Sequence, residues 1–127
     1  MNRELDRIRS DFLKAKENNL PISLTRSLSS SNTLRKGSYK NGTAALDLSP
    51  LNRLLNLNRE DSTALVEPGL IMYSLFKKLE SQGFMPKILP EFKGITVGGA
   101  INGAAIESSS HRFGQFNNTC QSYRVLT

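Results

Sequence analysis

An α+β fold is what these 127 residues predict. Two stretches repeat apolar residues every three or four positions, as helices do. Five short stretches read instead as strands, bounded by Pro, Gly, Asn, Asp and Ser. The two kinds are mixed without the strand–helix rhythm that builds a parallel α/β sheet, and no internal repeat is visible.

In chain order, residues 2–18 predict a helix. Leu5, Ile8, Phe12 and Ala15 fall on one stripe, with charges on the other face. Asn18 and Asn19, followed by Pro21, end it. The polar face carries both signs of charge, which favours packing on a domain over lying on a membrane surface. Pro21, Ile22, Ser23 and Leu24 predict a short strand. Residues 25–43 are rich in Ser, Asn, Thr, Gly and basic side chains, the composition of a flexible linker or a polar ligand loop. Residues 45–48 predict a second strand. Residues 54–58 and 63–67 predict the arms of a hairpin, joined through Arg59, Glu60, Asp61 and Ser62 and closed by Pro68 and Gly69.

Residues 70–82 predict the second helix. Met72, Leu75, Phe76 and Leu79 mark its buried face, Lys77 and Lys78 its wet one, and Gly83 is a natural stop just past its end. Leu89 and Pro90 read as extended, and a short helix is expected near Val97. Residues 120–126 alternate and predict a last strand. That strand would run to the final residue rather than into a polar linker. The expectation is therefore a domain cut off before its fold is finished.

Length suits one domain rather than two, and a hydrophobic share of 38% with no Trp allows a modest core. The net charge is +6, and nine Lys/Arg against four Asp/Glu place nearly all of the excess in residues 1–40. Such a segment suits a polyanionic partner. It lacks the interleaved aromatics on which bases stack, which argues against nucleic acid. A single cysteine, Cys120, excludes an internal disulfide and makes a reducing, intracellular compartment the default, cytoplasmic or membrane-associated. No apolar run approaches the roughly 20 residues of a membrane span, and the N-terminus lacks the apolar centre of a signal peptide. One histidine, one cysteine and scattered carboxylates give no metal-ligand set.

The most unusual stretch is Thr96, Val97, Gly98, Gly99, Ala100, Ile101, Asn102, Gly103, Ala104, Ala105, Ile106, Glu107 and Ser108, continuing through Ser109 and Ser110 to His111. It is almost free of bulk, where a core helix would use Leu and Phe. Small residues let a flat ligand lie against the backbone. Gly98 and Gly99 would let main-chain N–H groups approach a phosphate or carbonyl oxygen, and a helix starting there adds its dipole. The serines add hydroxyls that donate or accept. Tight packing of small residues is the alternative. The spacing matches neither the G-x-G-x-x-G fingerprint nor the P-loop.

From Pro90 to Gly114, PEFKGITVGGAINGAAIESSSHRFG resembles the FAD-binding domain of the vanillyl-alcohol oxidase / p-cresol methylhydroxylase (PCMH) type. Within that superfamily it is most similar to the 24-dehydrocholesterol (Delta24-sterol) reductase family. Upstream, LDLSPLNRLL, then ALVEPG, then an amphipathic helix agree. The resemblance covers residues 20–127, with 1–19 an N-terminal amphipathic helix. It implies a two-part α+β FAD domain, here incomplete at its C-terminus, with the cofactor extended between the parts. It implies that residues 96–108 line FAD, with backbone at Gly98 and Gly99. It also implies a second loop for the pyrophosphate, matching residues 27–33 and so Ser29, Ser30, Ser31 and Asn32. Many relatives have glycines in that loop where this chain has serines, whose hydroxyls can still hold a phosphate. Arg26, Arg35 and Lys36 flank it and offset the charge.

His111 is expected to make a contact or structural hydrogen bond near the flavin rather than a covalent link. Glu107 either orients a backbone amide or moves a proton beside the flavin, or it pairs with a residue such as Arg112. Asp47 reads as a strand-end acceptor and Cys120 as a small buried hydrophobe. Glu67, held extended before Pro68, reads as structural. The resemblance further implies a parent enzyme that reduces or oxidises a carbon–carbon bond, such as a sterol side-chain alkene, with NADPH as donor. It implies a substrate domain absent from this chain, and it leaves membrane association of the parent open. Catalysis by this chain alone is not expected. Two other readings stand beside it: a truncated, non-catalytic remnant of such an enzyme, and a basic phosphate- or nucleic-acid-binding module.

Overall fold

The fold is described from a computed structural model over residues 3–25 and 37–127. Helix α1 (Arg3–Glu17) opens it, with Glu4 and Asp6 in its first turn and Lys14 and Lys16 in its last. Both pairs complement the helix dipole. Ile8 and Ala15, two turns apart, are buried. Leu5, expected on the same stripe, stays exposed, so the buried face is narrower than the spacing predicts. Helix α1 ends where Asn19 turns to φ +52°. There the Leu20 amide reaches the Ala15 carbonyl at 2.9 Å and the Asn19 amide that of Lys16 at 3.0 Å, the two bonds of a Schellman cap.

Strands β1 (Ile22–Thr25) and β2 (Ala44–Asp47) pair in parallel, Ile22 opposite Ala44 and Leu24 opposite Leu46. Helix α1 packs on β2. Strands β3 (Leu54–Asn58) and β4 (Thr63–Val66) form the expected antiparallel hairpin, with a bulge between Leu54 and Asn56. Its turn is set by Asn58, whose Oδ1 accepts from the Glu60 amide at 3.0 Å and the Asp61 amide at 3.3 Å.

Helix α2 (Met72–Glu80) is shorter than the expected 70–82. Leu70 and Ile71 stay outside the helix because their backbone pairs elsewhere: Ile71 bridges Thr96, and the Val97 amide donates to the Leu70 carbonyl at 2.8 Å. The predicted stop is in place. Gly83 takes φ +82°, and the Phe84 amide returns to the Leu79 carbonyl at 3.0 Å, another Schellman cap. Leu70, Met72, Leu75, Leu79, Ile88, Val97, Ala100 and Phe116 make one buried cluster, with Met72, Ile88 and Ala100 fully excluded from solvent.

Helix α3 (Val97–Asn102), helix α4 (Ser110–Phe113) and a 3₁₀ turn (Phe116–Thr119) complete the architecture. The expected last strand over 120–126 is not formed. Residues 121–127 are exposed, and neither two-stranded sheet takes them as a neighbour. Alternation makes a strand only where a ladder partner satisfies its backbone.

Candidate functional site

The small-residue segment is held by the turn after the hairpin. Glu67 is buried. Its carboxylate accepts from the Arg53 amide at 2.9 Å, from Nε at 3.1 Å and from Nη2 at 2.8 Å. In return the Glu67 amide donates to the Arg53 carbonyl at 2.9 Å. The two residues lock the start of β3 to the end of β4. Gly69 follows, and no other residue fits: a methyl group there would meet the carbonyl oxygens of Leu48 and Leu51, the latter at 2.6 Å. Pro68 then faces Gly98. The Gly98 amide donates to the Pro68 carbonyl at 2.8 Å, and a methyl group on Gly98 would lie 3.1 Å from the Pro68 ring.

This settles what the first glycines of the segment do locally. Thr96 caps α3, its Oγ1 accepting from the Gly99 amide at 3.1 Å. The amides of Gly98 and Gly99 are therefore both hydrogen-bonded within the chain. Further on, the Gly103 amide donates to Gly99, Ala104 to Ile101 and Ala105 to Ala100. Ala104 stands at φ +46°, a conformation that costs a non-glycine residue about 1 kcal/mol. After this turn the internal partners thin out. The amides of Ile106 and Ser108 meet no acceptor among the described residues, while the Ile106 and Ser108 side chains are exposed. The open main-chain donors thus lie later in the segment than the glycines suggest.

The Glu-Ser-Ser-Ser-His run is knitted into a turn. Glu107 Oε1 accepts from the Glu91 amide at 2.9 Å. The Glu107 amide donates to Ser110 Oγ at 2.9 Å. Ser109 Oγ donates to the Lys87 carbonyl at 2.7 Å, and His111 Nδ1 lies 2.7 Å from the Ser108 carbonyl. Of the expectations for Glu107, orienting a backbone amide is the one observed; Arg112 instead lies over the Phe113 ring at 5.5 Å. His111 makes a structural hydrogen bond.

Asp47 accepts from the Ser49 amide at 2.9 Å. The Ser49 hydroxyl and amide hold its carboxyl below the ordinary range, as a strand-end acceptor requires. Cys120 is half-buried, and burial pushes its thiol pKa up. Ser29, Ser30, Ser31 and Asn32, with Arg26, Arg35 and Lys36, lie outside the described residues. Among the described residues no group of His, Cys, Asp and Glu comes together to hold a metal ion, and no helix is long and apolar enough to cross a membrane. Sequence reasoning missed Arg53 altogether. The available signal was a buried-type Glu at the end of one hairpin arm facing an Arg at the start of the other.

Hairpin, amphipathic helix and small-residue helix, pinned together at Pro68 and Gly98, define an FAD-binding domain of the PCMH type. The sequence profile of the family described as FAD binding domain matches residues 9–127, and the chain belongs to that family. FAD is its cofactor. The chain is 38% identical over 88 residues to the Delta(24)-sterol reductase homolog dhcr-24 of Caenorhabditis elegans, covering 69% of this chain and 17% of that protein. It is 34% identical over 94 residues to the Delta(24)-sterol reductase of Homo sapiens, covering 74% of this chain and 18% of that protein. The Arabidopsis thaliana Delta(24)-sterol reductase is 35% identical over 81 residues, 64% of this chain and 14% of its own length. The chain thus spans under a fifth of the length of these relatives. A solved alkyldihydroxyacetonephosphate synthase shares the fold at a TM-score of 0.69 and 19% identity, over 87% of this chain and 20% of that one.

Proposed function

We propose that this chain is the FAD-binding portion of a flavin-dependent oxidoreductase that reduces a carbon–carbon double bond in a sterol-like or other alkene. The similarity to proteins named Delta(24)-sterol reductase supports the substrate class. Residues 20–127 form the cofactor module in this reading, and residues 1–19 an appended helix. FAD lies along residues 96–108, and Ser29, Ser30, Ser31 and Asn32 take its pyrophosphate.

One observation carries the placement: the unpartnered amides of Ile106 and Ser108 sit beside an exposed hydroxyl, at the end of a run without bulky groups. Neutral donors beside open backbone fit the oxygens of a flavin or a phosphate. The amides of Gly98 and Gly99 are already used within the chain, by Pro68 and Thr96. Bound FAD supplies hydride transfer, while the protein contributes binding, orientation and exclusion of water. Titration of the purified chain with FAD tests the reading. A perturbed flavin absorption band with quenched emission is expected; an unchanged spectrum at saturating protein would remove it.

A further inference from the structure

We infer that Glu67 and Arg53 are positioning residues for the cofactor segment, acting through the Pro68–Gly98 contact; this rests on the reading that FAD lies along residues 96–108. The connection is continuous. Glu67 accepts three hydrogen bonds from Arg53 and returns one through its own amide. The next residue, Pro68, offers its carbonyl to the Gly98 amide at 2.8 Å and its ring to the Gly98 Cα face. Two residues further, Leu70 accepts from the Val97 amide at 2.8 Å. The first turn of α3 therefore takes its position from the backbone that the Glu67 carboxylate holds.

The geometry is over-determined for a mere surface ion pair. Arg53 is more than half exposed, but the Glu67 side chain is 6% exposed and meets the guanidinium and the main-chain amide together. Such a fork fixes direction as well as distance. Gly69 behind it is anchored by its own amide, which donates to the Leu51 carbonyl at 2.7 Å, and the Leu48 and Leu51 carbonyls leave no room for a side chain there. With Gly69 held in this way, a displacement of the clamp passes to Pro68, and so to α3.

The test uses the full chain carrying Glu67→Gln, with Arg53→Gln as a second variant should the first fail to fold. Two readouts are taken: hydrogen exchange at the Gly98 amide, with the Leu75 amide as the reference inside α2, and FAD affinity with the position of the bound-flavin absorption band. The expected result is Gly98 exchange faster by about tenfold with Leu75 unchanged, FAD binding weaker by about tenfold, the scale of one lost charge-assisted hydrogen bond, and a shifted band at saturation. Unchanged Gly98 exchange overturns the clamp whatever the flavin does. Faster exchange with unaltered affinity and band overturns its link to the cofactor. Failure of the unmodified chain to bind FAD would instead strike the underlying reading, while the exchange data would still report on the clamp.

Discussion

The two ends of this molecule are built to different standards. Its C-terminal part, from β3 onward, shares one cluster of eight buried side chains drawn from α2, α3, the 3₁₀ turn and the segments between them. The N-terminal part, α1 with β1 and β2, relies on Ile8, Ala15 and Leu46, which lie outside that cluster. Both parts cap their leading helices with the same backbone device, at Asn19 and at Gly83. The difference is therefore one of burial and not of local helix chemistry. Stability concentrates where the cofactor segment is anchored, and the basic N-terminal part is joined to it through β2 and the Leu48–Leu51 turn.

The largest effect that would break this comparison lies in the core. Met72→Ala empties a fully buried site and should cost about 4 kcal/mol, whereas Ile8→Ala should cost about 2 kcal/mol, because its surroundings can close more readily. Equal losses in denaturant midpoint would show that the two parts share one core. A smaller effect sharpens the picture inside the anchored part. Ala104→Gly relieves the positive φ and should raise stability by about 1 kcal/mol; a destabilised variant would mean that the methyl group packs more than the backbone strains.

The smallest effect belongs to the N-terminal part. The Ser49 contacts hold the Asp47 carboxyl below its ordinary value of 3.8. A depressed folded-state pKa contributes stability that is present above 3.8 and lost as pH falls through the folded value. Asp47→Asn should thus melt slightly lower than the unmodified chain at pH 6, and the gap should close toward pH 2. A gap constant across that range would show that the charge of Asp47 contributes nothing.

Much of this was legible in the sequence. Residues 54–58 and 63–67 flank a turn-forming run, and the structure pairs 54–58 with 63–66. The α2 stripe and Gly83 fixed a helix and its end to within two residues. A short helix was expected near Val97, and one begins there. Three features were not legible, each for the same physical reason: hydrogen-bond partners are set by tertiary placement. Residues 120–126 alternate like a strand but meet no ladder. Leu70 and Ile71 carry helical spacing but pair with residues 96 and 97. Gly98 and Gly99 look like open donors, yet Pro68 and Thr96 already hold their amides.

Where FAD touches the main chain can be read directly from ¹⁵N–¹H spectra of the chain during FAD addition. The Ile106 and Ser108 amides should move most, while Gly98, tied to Pro68, should move little. Saturable shifts centred on other residues, with Ile106 and Ser108 unmoved, would contradict this placement.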